Sequence, residues 1–226
     1  MPKTTLQLYG IHSVCSLMET GKIVVPAFQR GFVWSKTQVL KLMRSIYQGY
    51  PVGTIIVVEQ SGKPLNVLPH TKSLFPVVSD HLASHSTTWV VIDGAQRLAV
   101  LYNAFFGKVP MMRVWFDLQS REFMINAKRL QLARYIDLHA LYSTQQYFQY
   151  QKIIIAADTR DKLLDRVNDL QRAFKDYQIP VQVLTDTTLE EAASMFQRLN
   201  RSGQQLTKAE LQNAVKRGKK SGRESF

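Results

Sequence analysis

A single cysteine, Cys15, among 226 residues excludes an intramolecular disulfide and suits a reducing interior. As a lone thiol it reads as a small buried filler rather than a nucleophile. Long apolar runs are missing too. Ile153–Ala157 and Ile55–Val58 fall far short of the roughly 18 residues that cross a bilayer, so no membrane partner is expected. The opening MPKTTLQLYGIHSVCSLMET has no basic stretch leading into an apolar one, which predicts no secretory leader and a cytoplasmic protein. Absent as well are G-x-x-x-x-G-K-[ST], H-E-x-x-H and G-x-S-x-G, so phosphate-loop, zincin and hydrolase-elbow chemistry are not expected. His81 and His85 stand four apart, but in a Ser-rich, loop-like stretch without a third ligand.

Acidic residues are the other scarce class: 17 Asp and Glu face 29 Lys and Arg, a net charge of +12. Such a surface attracts polyanions, chiefly nucleic acid or nucleotides. Part of the excess lies in KRGKKSGRESF, so residues 216–226 read as a basic, disordered tail after a domain over 1–215. The body stays basic without it.

Along the chain, strand-like and helix-like pieces alternate without an internal repeat. Ile11–Glu19 predicts a short helix and Lys22–Val25 a strand. Ser35 and Gln38 form the S-x-x-Q capping box of a helix with Val39, Leu42, Met43 and Ile46 on one face. QGYPVG stops it, with Gly49 closing the helix and Pro51 forbidding continuation, and Thr54–Glu59 reads as a strand. Gln60–Thr87 reads as a long loop. Met111–Asp117 and Glu122–Ile125 predict a hairpin, and Leu138–Ile155 helical connecting structure. Asp158–Tyr177 is a helix with an apolar seam at Leu163, Val167, Leu170, Phe174 and Tyr177. Ile179–Leu184 reads as a strand, TLEEAASMFQRLN as a helix, and Thr207 with Glu210 as the cap of a last one. Without a regular βαβ rhythm, the expected class is α+β.

Polar groups interrupt this apolar frame at four places. In VPAFQRGFVW, Gln29 and Arg30 are either a surface turn or an amide and guanidinium suited to a phosphate and a neighbouring hydroxyl or base. In WVVIDGAQRLAV, a core strand at Trp89–Ile92 gives way to a core helix from Leu98. Between them, Asp93 and Gln96 fit a D-x-x-Q helix cap, but a glycine turn into a helix is also where backbone N–H groups meet an anion. Arg97 opposes the helix dipole unless something negative lies near it. FQRLNRSGQQLTKAE reads as a helix end, with Asn200 and Gly203 suited to left-handed conformations. Arg198, Asn200 and Arg201 there are either solvated or donors to a ligand. GYPVG is most simply a helix stop and strand start.

Taken in order, VPAFQRGFVW, SIYQGYPVGTI, VVIDGAQRLAVL and FQRLNRSGQQLTKAEL resemble the N-terminal domain of GmrSD-type restriction proteins over roughly residues 8–215. That family carries a DGQQR signature and is related to the ParB/sulfiredoxin-like fold, which implies a mixed sheet core with surrounding helices. The resemblance also implies a nucleotide-binding, often NTP-hydrolysing module of bacterial defence against phage, within a modification-dependent restriction system. DNA, a nucleoside triphosphate and a nuclease domain or subunit are its implied partners.

Carried over by position, P-x-F-Q-R falls on Pro26, Phe28, Gln29 and Arg30, and the signature on Asp93, Gly94, Gln96 and Arg97. F-x-x-L-N-x-x-G falls on Phe196, Leu199, Asn200 and Gly203. Asp93, Gln96 and Arg97 are then the catalytic candidates. Gln29, Arg30, Gly94, Arg97, Asn200 and Gly203 are the nucleotide or phosphate ligands, and Asp93 the holder of Mg²⁺. Ala95 stands where the signature has its first glutamine, which puts hydrolysis in question while leaving binding. The competing readings are a DNA-binding module with a degenerate pocket and a ParB-like nuclease.

Overall fold

The computed structural model describes residues 3–27, 29–61, 70–77, 85–107, 109, 112–125, 132–156, 160–188, 191 and 194. Strand β1 (Lys3–Gly10) runs directly into helix α1 (Ile11–Glu19), followed by β2 (Ile23–Val24), α2 (Lys36–Tyr47) and β3 (Ile55–Ser61). Next come the short α3 (His70–Ser73), then β4 (Thr87–Asp93) and α4 (Ala95–Phe105). A hairpin of β5 (Val114–Asp117) and β6 (Glu122–Ile125) precedes β7 (Tyr135–Asp137), a 3-10 turn (Leu138–Tyr142), α5 (Thr144–Ala156), α6 (Arg160–Asp176) and β8 (Gln178–Thr185).

The described strands form a five-stranded mixed sheet in the order β1-β8-β3-β4-β2 and a three-stranded antiparallel one, β6-β5-β7. In the larger sheet β8 is parallel to β3 and β2 to β4, while β1–β8 and β3–β4 are antiparallel. This mixed sheet with its helices is an α+β fold, as the irregular element rhythm predicts.

Strand parity divides the apolar residues. Val57, Val91 and Val183 point into the main core, where α1, α2, α4 and α6 contribute Ile11, Met18, Met43, Leu98, Leu101 and Phe174. Their sequence neighbours Val58, Ile92 and Leu184 form a smaller cluster on the opposite face. Because both faces of β4 are covered, Trp89–Ile92 is apolar without alternation. α4 is buried at Leu98–Leu101 and at Asn103–Phe105, so it is a central helix rather than a surface one. The hairpin sheet joins this core through aromatic contacts, with Phe116–Phe123 and Tyr47–Phe116 ring centroids 4.8 and 5.2 Å apart.

The capping box at Ser35 and Gln38 forms as expected, and the predicted face of α2 is its buried one. Gly49, at φ 71°, ends that helix. Cys15 is buried on α1; burial, with Glu19 nearby, pushes its thiol well above the usual range and keeps it inert. In the smaller sheet, buried Asp117 accepts from Arg134 and from the Gln119 and Ser120 N–H groups. Burial raises a carboxyl's pKa, but these bonds outweigh it and hold Asp117 at about 2.

Several boundaries differ from the sequence reading. The first hairpin strand starts at Val114 rather than Met111, and Gln60–Thr87 is not wholly loop, since it contains α3 and the ends of β3 and β4. Leu138–Ile155 is two elements, parted at Ser143, whose extended backbone (φ −105°, ψ 107°) interrupts the helical path. β1 and β7 are strands that the sequence reading did not include. Thr188 and Glu191 also form a reciprocal cap, at 3.2 and 2.9 Å. Most of TLEEAASMFQRLN, the Thr207–Glu210 cap and the 216–226 tail lie outside the described residues.

Candidate functional site: the β4–α4 corner

β4 passes into α4 through Gly94, whose φ of 98° no L-residue adopts cheaply. A Cβ there would lie 2.4 Å from Ile55 Cδ1, so the corner needs glycine for space as well as for φ. This geometry overturns the D-x-x-Q cap. The N-cap is Gly94, without a side-chain bond, and the two polar side chains that would have reciprocated turn elsewhere.

Asp93 Oδ2 accepts from Arg97 Nη2 at 2.8 Å. The Gln96 amide instead spans to the loop before α2, where Oε1 accepts from Val33 N–H at 2.9 Å and Nε2 donates to Gly31 C=O at 3.1 Å. The reason is the left-handed glycine, which places Asp93 one residue outside the cap position. Helix α4 therefore begins with no acid in its first turn and, among the described residues, no side-chain cap on its opening N–H groups.

Arg97, which looked misplaced against the helix dipole, has three acceptors. Nη1 donates to Val52 C=O at 2.8 Å, and Nη2 to Thr54 C=O at 3.0 Å as well as to Asp93. The side chain is only 14 % exposed. Gly53, between the two carbonyls, has φ 83°, and a Cβ there would stand 2.7 Å from Arg97 Nη1. GYPVG is thus more than a helix stop and strand start: its second glycine makes room for a guanidinium from α4. That glycine, left over once Gly49 has closed α2, is the signal in the sequence for this contact.

Gln29 closes the other side. Its Nε2 donates to Val91 and Ile92 C=O, at 2.6 and 3.0 Å, at the end of the central strand, while its N–H bonds Pro26 C=O at 3.0 Å. Arg30 follows, exposed and without an ion pair or hydrogen bond among the described residues. Its neighbours Gln29 and Gly31 are tied to β4 and to Gln96, so the backbone of Arg30 is pinned at the corner while its guanidinium is unspent.

The structure therefore brings Gln29, Arg30, Asp93, Gly94, Gln96 and Arg97 to one corner. Asn200 and Gly203, with Phe28, Phe196 and Leu199, lie outside the described residues. Among the described residues no three His, Cys, Asp or Glu side chains gather as a metal cage, and no helix is long and apolar enough to cross a membrane.

A mixed-sheet domain with a glycine corner between its central strand and central helix, held by an amide and a guanidinium, is what the first three motifs build. The chain matches the family model of the GmrSD restriction endonuclease N-terminal domain over residues 11–215, and it belongs to that family. It is thus a domain of a restriction system, in keeping with defence against foreign DNA. No curated protein matches the chain.

Proposed function

We propose that the β4–α4 corner binds the phosphates of a nucleoside triphosphate, and that this binding regulates restriction of modified DNA. The observation that carries the reading is the bare start of α4 beside Arg30. Among the described residues the opening N–H groups have no side-chain cap, the first turn holds no acid, and the Arg30 guanidinium has no partner, on a backbone anchored at the same corner. Helix N-termini with open N–H groups favour anions, and a guanidinium adds a planar fork for phosphate oxygens.

In this reading Arg30 contacts phosphate, and Gln29, Gln96 and Arg97 are positioning residues that hold the corner open. Asn200 and Gly203 enter through the family resemblance as further nucleotide ligands. Asp93 has Oδ2 on Arg97 and Oδ1 without a hydrogen bond among the described residues. Mg²⁺ needs only one or two carboxylates when phosphate oxygens and water complete its shell, so this donor fits a magnesium ion arriving with the nucleotide. Such an ion would supply charge neutralisation at the transferring phosphoryl group.

Hydrolysis is a separate question because Ala95 carries a methyl where the signature has an amide. Calorimetric titration with Mg-ATP and Mg-GTP, together with phosphate release, tests both parts. Arg30→Ala is expected to weaken binding at least tenfold with an unchanged melting temperature. Wild-type protein that binds neither nucleotide sinks the reading in favour of a DNA-binding module with a degenerate pocket. Binding without turnover, followed by turnover in Ala95→Gln, assigns the loss of hydrolysis to that substitution. Plasmid cleavage by this chain alone would instead support the ParB-like nuclease.

A further inference from the structure

We infer that β1 is the pairing edge of a homodimer, running antiparallel to the same strand of a second copy of the chain. β1 closes one side of the larger sheet: it bonds β8, and no other described strand pairs with it. The other edges among the described strands are short, with two residues in β2, four in β6 and three in β7, against eight in β1. Long edges are ordinarily blunted by charge, proline or a bulge. β1 has no proline and pairs with β8 residue by residue from Lys3 to Gly10. Its one charge, Lys3, stands at its start, 3.0 Å from Asp186, and no Lys, Arg, Asp or Glu follows until Glu19.

Lys3–Leu8 is exposed throughout. Leu6 and Leu8, 65 and 64 % exposed, share one face of the sheet, opposite Gln182 and Pro180 of β8. With a two-fold axis at Leu6, Thr4 meets the partner's Leu8, Thr5 the partner's Gln7, and Leu6 its own copy. The pairing then stays within the exposed run, and the leucines of the two chains adjoin on one face, directly or diagonally. Charge selects a second copy as the occupant. Two chains of net charge +12 repel over most of their surfaces, but not along a neutral, self-complementary edge. A charged peptide would find no ion pair there. β1 also precedes residues 11–215, which the family model matches, and this edge does not depend on the nucleotide reading of the corner.

The test is sedimentation of the full chain across concentration and salt. An edge of this length makes a small interface, below about 1,200 Å² in total, so a weak dimer is expected. It should tighten as salt rises, because salt screens the repulsion between two basic chains. Leu6→Lys and Leu6→Glu each set like charges against one another on the axis and should weaken association by roughly tenfold or more. Their melting temperatures should match wild type, since the side chain is exposed. Mixed in equal amounts, the two variants should associate as a heterodimer. Leu6→Cys should form a covalent dimer on oxidation, because opposed Cα atoms of an antiparallel pair lie about 4.5–5.5 Å apart, within reach of a disulfide. Native Cys15 is buried and does not compete.

Wild type that stays monomeric to about 0.5 mM would overturn the inference. Dimers retained by both charge variants would do the same, and a mixture that fails to associate would overturn the axis at Leu6. Phe148→Lys on α5 should dimerise as wild type does; an equal loss there would overturn the assignment to β1. Nucleotide titration of the β1 variants should match wild type, so failure of the corner site and failure of this edge are separate results.

Discussion

Arg97→Ala removes a guanidinium that holds the turn before β3 against the start of α4. The side chain donates at 2.8 and 3.0 Å to the Val52 and Thr54 carbonyls and at 2.8 Å to Asp93. A hydrogen bond from a charged donor is worth about 1.5–3 kcal/mol, and an acceptor left without a partner adds to the loss. The Asp93 pair contributes less, below about 1 kcal/mol, because that carboxylate is 40 % exposed and solvent screens it. One guanidinium makes all three bonds, so they do not add fully, and a loss of about 3–4 kcal/mol is expected. For a chain of this length that corresponds to a melting temperature lower by roughly 6–15 °C.

Urea unfolding followed by fluorescence and circular dichroism measures it, with coincident transitions checking that one cooperative step is read. Arg97→Lys should recover less than half of the loss, because a single ammonium cannot reproduce the planar fork. Asp93→Asn should cost under about 1 kcal/mol. A loss below about 1 kcal/mol for Arg97→Ala at an unchanged m value, or full stability in Arg97→Lys, would refute the clamp.

Gly53→Ala is expected to destabilise by about 1–3 kcal/mol through its left-handed φ and the crowding of Arg97. In a double-mutant cycle with Arg97→Ala the steric part should vanish, and strict additivity would show that the two do not touch. Acid unfolding should expose Asp117. Its folded pKa, about 2, lies below the ordinary carboxyl value, so its contribution is present above about pH 4 and fades as pH falls toward 2. That contribution is at most about 2 kcal/mol, and less because Arg134 is 38 % exposed. Stability curves of wild type and Asp117→Asn should therefore converge toward pH 2; a constant gap would contradict this. Ser35→Ala should cost about 1 kcal/mol in urea unfolding, and no change would mean that α2 does not depend on its cap.

What the sequence revealed depended on how far apart the interacting groups lie. The α2 cap joins Ser35 to Gln38 within one turn, so a local pattern suffices. β4 and α4 were visible as dense apolar runs, and the ordered motifs pointed to the family. The corner was not legible in the same way. Gln29 reaches Val91 across 62 residues, Gln96 reaches Val33 across 63 and Arg97 reaches Val52 across 45. No spacing rule encodes such contacts. The D-x-x-Q pattern was misleading because the backbone of Gly94, rather than the identity of Asp93, decides which residue caps the helix. β1 escaped because its large aliphatic residues, Leu6 and Leu8, face outward at 65 and 64 % exposure.

Gln96 and Arg97 are consecutive, and between them they moor both ends of α2: one through Val33, the other through Val52. Both loops that flank α2 are therefore bonded to one helical turn of α4. The first turn of α4 is thereby tied directly to positions 63 and 45 residues away in sequence. Ala95 takes no part in either mooring, and its methyl packs on the core.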